Sequence, residues 1–186
     1  TMTGTLSLAQ NRQIVLLNGI WWVAEGANNA IPEEFRHRVE VPGFLDTAEP
    51  KFNKVGNFVN VIRPEAPQFV PAKGTLRDAF WYKHKFSIEG NLPPVARLKI
   101  CKAKYGTAVW LNGYKVGENV MNFTPGYFDV SRQLKGNCQE NTLIVRVGAD
   151  ALSTFNKSVN GSDYEKSRYL PGIYDDVELI LTDVPY

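Results

Sequence analysis

The sequence has little of the material from which most metal and nucleophilic centres are built. It contains two histidines, His37 and His84, and two cysteines, Cys101 and Cys138. Their spacing builds neither a zinc site nor a catalytic triad, and no phosphate-binding glycine loop is present. We therefore expect no metal and no cofactor, with His84 packed on a sheet and His37 in a solvated charged segment. The cysteines are interpreted as free thiols, with a disulfide as the alternative.

A strong charge of one sign and a long apolar run are also missing. Lys and Arg number 21 against 19 Asp and Glu, and they are scattered, so no stripe of basic residues is available to follow phosphates. The longest apolar run, from Ile14 to Ala24, is interrupted by Asn18 and Gly19 and is shorter than the ~20 residues that span a bilayer. We expect a soluble chain with no nucleic-acid partner and no membrane partner.

Helical periodicity is nearly absent, and period-two alternation takes its place. Phe80, Tyr82, His84, Phe86 and Ile88 would share one strand face, and similar alternation recurs near residues 97–100, 142–147 and 177–181. Asn112-Gly113 between β-forming residues predicts a hairpin with a type I′ turn. In a chain of 186 residues with 44% hydrophobic residues, these patterns predict one all-β domain, an antiparallel two-sheet sandwich.

Two long segments alternate poorly and are expected to be functional loops or extensions, residues 43–70 and 152–171. Asp163 and Glu165 in the second segment could face one ligand, although solvated loop charges are the simpler interpretation. Asp175 and Asp176 would point to opposite faces of a strand and could not act together.

Aromatic residues number 22, enough for both a core and a platform on which sugar rings stack. Trp21, Trp22 and Trp110 lie in strongly apolar runs and are expected to be structural. Tyr114, Tyr127 and Tyr169 are expected to reach solvent, where an interface and a sugar contact are equally plausible roles.

Seven short motifs follow one another along nearly the whole chain. They are Leu17-Asn18-Gly19-Ile20-Trp21, Val41-Pro42-Gly43, the strand from Phe80 to Phe86, Val109-Trp110-Leu111-Asn112-Gly113 through Gly117, Thr124-Pro125-Gly126-Tyr127-Phe128-Asp129-Val130, the strand from Glu140 to Val147, and Pro171-Gly172-Ile173-Tyr174 through Leu179. In this order they resemble the N-terminal sugar-binding domain of family 2 glycoside hydrolases, a jelly-roll sandwich with a galactose-binding-like fold.

The resemblance implies a division of labour. In that family the catalytic glutamates lie on a later (β/α)8 barrel, and this chain is too short to contain one. Residues 1–186 would form a single accessory domain of a larger β-glycosidase, without catalytic residues of their own. The implied partners are the catalytic barrel of the same polypeptide and an oligo- or polysaccharide substrate, and the implied location is periplasmic or secreted.

The resemblance also directs the loop from Asn160 to Pro171 toward the terminal sugar. The chain departs from the family pattern twice, with Asp175 where members usually carry a basic residue and Lys166 where some carry an aspartate. The candidate carbohydrate-binding residues are Asp163, Glu165, Arg168, Tyr169 and Tyr127.

Two other functions fit the same sandwich. The chain could be an autonomous carbohydrate-binding or adhesion module that uses Tyr114, Tyr127 or Tyr169 as its platform. It could also be purely structural, shaping the barrel through an interface without touching sugar, and an exposed apolar patch would favour that role over the binding module.

Overall fold

The computed structural model of the chain describes residues 12–53, 55, 77–150, 153 and 170–183. This part contains β-strands and one 3₁₀ helix, Leu45–Thr47, and none of its helices is long and apolar enough to cross a membrane. The strands are β1 Arg12–Leu16, β2 Gly19–Gly26, β3 His37–Val41, β4 Ala79–Ser87, β5 Val95–Ile100, β6 Ala103–Lys104, β7 Thr107–Leu111, β8 Tyr114–Asn119, β9 Gly126–Asp129, β10 Glu140–Gly148, β11 Gly172–Ile173 and β12 Val177–Thr182.

The strands form two main antiparallel sheets and one short pair. The four-stranded sheet has the order β1-β12-β5-β9, and the six-stranded sheet has the order β3-β2-β4-β10-β7-β8. The strands β11 and β6 pair with each other beside them. The predicted all-β fold, an antiparallel two-sheet sandwich, is confirmed.

The core lies between the two main sheets because each strand turns one face inward. Trp21 and Tyr82 enter it from the six-stranded sheet, and Leu98, Phe128 and Leu179 enter it from the four-stranded sheet, all at most 3% exposed. Full burial of one such side chain contributes about 1.5–3 kcal/mol. The alternation predicted for β4, β5, β10 and β12 is therefore the alternation that builds the core.

The predicted Asn-Gly hairpin joins β7 and β8. Asn112 and Gly113 have φ angles of 52° and 88°, the positive values that a type I′ turn requires at both central positions. The Asn112 side chain also donates to the carbonyl oxygen of Gln133 at 2.7 Å and to Oδ1 of Asn141 at 2.9 Å. These two hydrogen bonds hold the turn against Asn141 on β10 and against Gln133 in the segment before β10.

The tryptophans divide between the core and the outer face of the six-stranded sheet. Trp21 is fully buried, and Trp110 packs against Trp81, whose ring centroid is 5.2 Å away, so a structural role is confirmed for both. The same prediction is wrong for Trp22, which is 46% exposed. Adjacent residues of a strand face opposite sides, so Trp21 and Trp22 cannot both enter the core.

Both cysteines are free thiols. Cys101 is buried, whereas Cys138 is exposed and has a positive φ of 61°. Burial raises the pKa of the Cys101 thiol above its ordinary value. The two cysteines therefore do not form a disulfide. Cys101 is a buried residue, whereas Cys138 is not.

Candidate functional site

Two of the sequence motifs meet at one end of the sandwich. The amide of Gly43 donates to the carbonyl oxygen of Ile173 at 2.7 Å, and the amide of Leu45 donates to that of Pro171 at 3.0 Å. These bonds hold residues 41–45 against residues 170–174. We call this region, together with the neighbouring loop 120–125, the motif junction.

Glycine is required where the two motifs touch. A Cβ atom on Gly172 would lie 2.4 Å from the carbonyl oxygen of Gly43 and 2.9 Å from Cα of Phe44. Both neighbours are backbone atoms, so they cannot rotate away as a side chain could. This close contact between the two backbones fixes the position of the chain at Pro171 and Gly172.

An aromatic stack occupies the surface of the motif junction. The Phe44 and Tyr174 rings are nearly parallel, with centroids 5.4 Å apart. The Tyr174 hydroxyl donates to the carbonyl oxygen of Asn122 at 2.6 Å, and Oδ1 of the buried Asn122 accepts from the amide of Gly106 at 3.0 Å. These bonds hold the Tyr174 ring and loop 120–125 in one arrangement.

Loop 120–125 exposes three large apolar side chains close together in sequence. Val120 is 52% exposed, and Met121 and Phe123 are each 41% exposed. The Lys104 ammonium lies 5.0 Å from the centroid of the Phe123 ring. Single exposed apolar residues are common on protein surfaces, but a cluster next to an aromatic stack is typical of an interaction surface.

The carboxylates at the motif junction are already engaged. Asp175 pairs with Lys102 at 2.8 Å and accepts from the amide of Asp176, and these contacts lower its pKa below the usual range. Asp176 accepts from the Asn18 amide group at 2.8 Å. Both residues lie between β11 and β12 and not within a strand, so the expected strand placement is wrong. Their partners indicate a structural role.

The two histidines have structural surroundings. His84 stacks on Trp21 with ring centroids 4.7 Å apart, as expected for a packed sheet histidine, and burial lowers its pKa. His37 lies in an exposed charged segment, as expected, but its ring is partly covered: it stacks on Phe52 at 3.8 Å and places Nδ1 2.5 Å from the carbonyl oxygen of Pro50. Among the described residues, no group of three His, Cys, Asp or Glu could hold a metal ion.

Tyr127 is the one predicted sugar-binding residue that the structure describes. It is 59% exposed, and it shares a shallow depression on the outer face of the four-stranded sheet with Arg12, Arg97, Ile180 and Thr182. Its exposure matches the expectation, as does that of Tyr114. The other four candidates, Asp163, Glu165, Arg168 and Tyr169, lie outside the described residues, as does Lys166.

Sequence reasoning missed the aromatic members of the motif junction. Phe44 directly follows Val41-Pro42-Gly43, and Tyr174 directly follows Gly172-Ile173, so the motifs themselves marked both positions. The stack between their rings depends on a long-range contact for which the sequence carries no local signal.

No family model matches the chain, and no curated protein matches it in sequence. Solved structures do match. A β-glucuronidase from an uncultured Clostridium species is 21% identical with a TM-score of 0.57, over 97% of this chain and 30% of its own. A β-D-mannosidase from Dictyoglomus thermophilum is 18% identical with a TM-score of 0.63, over 90% of this chain and 22% of its own.

A putative β-galactosidase from Bacteroides fragilis is also similar, at 18% identity and a TM-score of 0.63, over 92% of this chain and 23% of its own. At such identities the likeness is one of fold. This chain therefore has the fold of one part of these larger proteins, and it spans between a fifth and a third of their length. The resemblance seen in the sequence motifs is confirmed at that level.

Proposed function

We propose that the chain is an accessory, non-catalytic domain of a family 2 glycoside hydrolase and belongs to a polypeptide that also carries a catalytic barrel. The observation that carries the proposal is the fold shared with parts of a β-glucuronidase, a β-mannosidase and a putative β-galactosidase. The ordered motifs support it, because they form the core strands and the motif junction. The glutamates that cleave the glycosidic bond would lie on the barrel.

The motif junction is the surface that we assign to the barrel. Val120, Met121 and Phe123 offer an apolar contact area, and the Phe44–Tyr174 stack beside them is held by backbone hydrogen bonds. Burial of exposed apolar area on docking would contribute about 25 cal/mol per Å². A rigid patch is suited to such docking because little side-chain freedom is lost when it is covered.

The motif junction would also set the position of the sugar-contacting loop. Pro171 accepts a hydrogen bond from Leu45, which fixes the end of the loop from Asn160 to Pro171 to the sandwich. We propose that the loop reaches the substrate bound in the barrel. Its polar and aromatic side chains would then bind sugar hydroxyls and stack on a sugar ring, the proposed contacts being Asp163, Glu165, Arg168 and Tyr169.

The proposal is tested in the polypeptide that contains this chain. Phe123→Ala and Met121→Ala should each lower kcat/KM for an aryl β-glycoside by about tenfold, the equivalent of 1.4 kcal/mol of lost docking. Tyr114→Ala is the matched control, because Tyr114 is 67% exposed at the hairpin on another part of the surface. Unchanged activity in both junction variants would contradict the assignment of this surface to the barrel.

An autonomous carbohydrate-binding module is the second candidate function. The observation in its favour is Tyr127, an exposed ring beside Arg12 and Arg97 on a sheet face. Titration of the isolated chain with galactosides, glucuronides and mannosides distinguishes the two functions. Saturable binding lost in Tyr127→Ala would support the module, and no binding at millimolar concentration would exclude it.

A further inference from the structure

A second exposed aromatic side chain stands on the outer face of the six-stranded sheet. Trp22 on β2 is directly paired with Arg38 on β3 and with Lys83 on β4. Paired residues of neighbouring strands point to the same face, so the three side chains form one row. Trp22 is 46% exposed, so part of it is available to a ligand.

The two cations in this row lack a carboxylate partner within the described part of the chain. The Arg38 guanidinium lies 5.4 Å from the centroid of the Trp22 ring, and the Lys83 ammonium lies 5.0 Å from that of Phe35. None of the ion pairs found among residues 12–53, 55, 77–150, 153 and 170–183 includes either of them.

Other cations on the same face do have carboxylate partners. Lys85 pairs with Glu140 at 2.8 Å, and Lys115 pairs with Glu118 at 2.6 Å. Adjacent strands are about 4.8 Å apart, so the backbones of Arg38 and Lys83 are separated by about 10 Å. Arg38 and Lys83 therefore flank the strand that carries the exposed Trp22, and Glu40 is a nearby carboxylate on the same face.

This arrangement matches the chemistry of an acidic sugar. The C–H face of a pyranose ring packs on indole, and a carboxylate on that ring accepts hydrogen bonds from a guanidinium or an ammonium. Ile20, two residues before Trp22 on the same face and 60% exposed, pairs with Glu40 and lies outside this row. We propose that the row Arg38–Trp22–Lys83 is a binding site for a uronate-containing polysaccharide.

The surroundings disfavour other anionic polymers. A nucleic acid needs a run of cations that follows its phosphates, whereas the neighbouring cations Lys85 and Lys115 are neutralised by Glu140 and Glu118. In a symmetric dimer formed through this face, the positive charges of the two identical rows would repel each other. The proposal does not rest on the function proposed above, because it uses no residue of the motif junction.

The test is affinity electrophoresis and calorimetric titration of the isolated chain with polygalacturonate. The fully methyl-esterified polymer has the same backbone without the charge, and single-stranded oligothymidylate supplies anions without sugar carboxylates. The variants are Trp22→Ala, Lys83→Ala and Arg38→Ala. Two matched controls share their strands and face, Ile20→Ala for Trp22 and Lys85→Ala for Lys83.

We expect saturable binding to polygalacturonate, weakened at least about tenfold in Trp22→Ala and in the Arg38→Ala/Lys83→Ala double variant. The affinities of Ile20→Ala and Lys85→Ala for polygalacturonate should remain closer to that of the unsubstituted chain. Esterification of the polymer should abolish most binding. Three results would overturn the proposal: no binding to polygalacturonate, equal binding to the esterified polymer, or tighter Trp22-dependent binding to oligothymidylate. Circular dichroism of each variant establishes that the fold is intact.

Discussion

The amide of Gly43 donates a 2.7 Å hydrogen bond to the carbonyl oxygen of Ile173, and this bond joins two motifs from opposite halves of the chain. Beside it, the α-carbon of Gly172 faces the Gly43 carbonyl so closely that a side chain would not fit. The end of the sandwich that we assign to the barrel is thus built from backbone contacts. Side-chain substitutions on its surface should change docking without unfolding the domain.

The first prediction concerns this close approach. Gly172→Ala should destabilise the isolated chain by about 1–3 kcal/mol, because the new Cβ atom would lie 2.4 Å from a carbonyl oxygen and force the two segments apart. Gly26→Ala is the control, since its Cβ would approach side-chain atoms of Pro32 and Trp81 no closer than 3.2 Å. Urea denaturation measures both variants. Equal losses of stability would contradict the explanation.

The second prediction concerns a buried amide. Asn141 is fully buried, and its side chain accepts from Lys135 at 2.9 Å and from Asn112 at 2.9 Å while donating to the Lys135 carbonyl at 2.8 Å. Asn141→Ala should cost about 3 kcal/mol of unfolding free energy, because the Lys135 backbone and the Asn112 side chain lose their partner in part-buried hydrogen bonds. Gln139→Ala, at an exposed neighbour, should change it by less than about 0.5 kcal/mol. A similar effect of both substitutions in thermal denaturation would refute this role.

The third prediction concerns the thiols. Cys138 is exposed, whereas Cys101 is buried and has a raised pKa. We expect Ellman's reagent to label one thiol rapidly in the native chain and the other only after denaturation. Cys138→Ser should remove the rapid phase. Native protein with two equally fast thiols, or with none, would be incompatible with this arrangement.

The fourth prediction concerns pH. Burial beside Trp21 lowers the pKa of His84 below its ordinary 6.5, so the unfolded chain binds this proton more readily than the folded chain. Stability should therefore fall as the pH drops below 6.5 and should not depend on His84 well above it. His84→Phe should reduce the loss of unfolding free energy between about pH 7.5 and about pH 5, whereas Lys85→Gln should not. An unaltered loss in His84→Phe would show that another group is responsible.

Local rules predicted the strands and the hairpin, because period-two alternation and an Asn-Gly turn depend only on neighbours in sequence. The same rule would have placed Trp22 outside, since Trp21 before it faces inward. Its apolar neighbours masked that signal, and the site proposed at Trp22 was missed with it.

Other features depended on contacts that no local pattern reports. His37 lies in an exposed segment, as expected, but its stacking on Phe52 from a separate segment was not predicted. Asp175 follows a two-residue strand that ends at Ile173, and continuous alternation gave no sign of that interruption. The Phe44–Tyr174 stack needs the pairing of distant segments. The roles of Asp163, Glu165, Arg168, Tyr169 and Tyr127 in sugar binding stay predictions.

The most direct measurement compares glycoside hydrolysis by residues 1–186 alone with hydrolysis by the polypeptide encoded by the complete gene. The proposal of an accessory domain predicts no turnover of aryl β-galactosides, β-glucuronides or β-mannosides by the isolated chain. It predicts turnover of at least one of them by the complete product, lost when two glutamates of its barrel are replaced. Turnover by the isolated chain, or a complete product without a barrel, would contradict it.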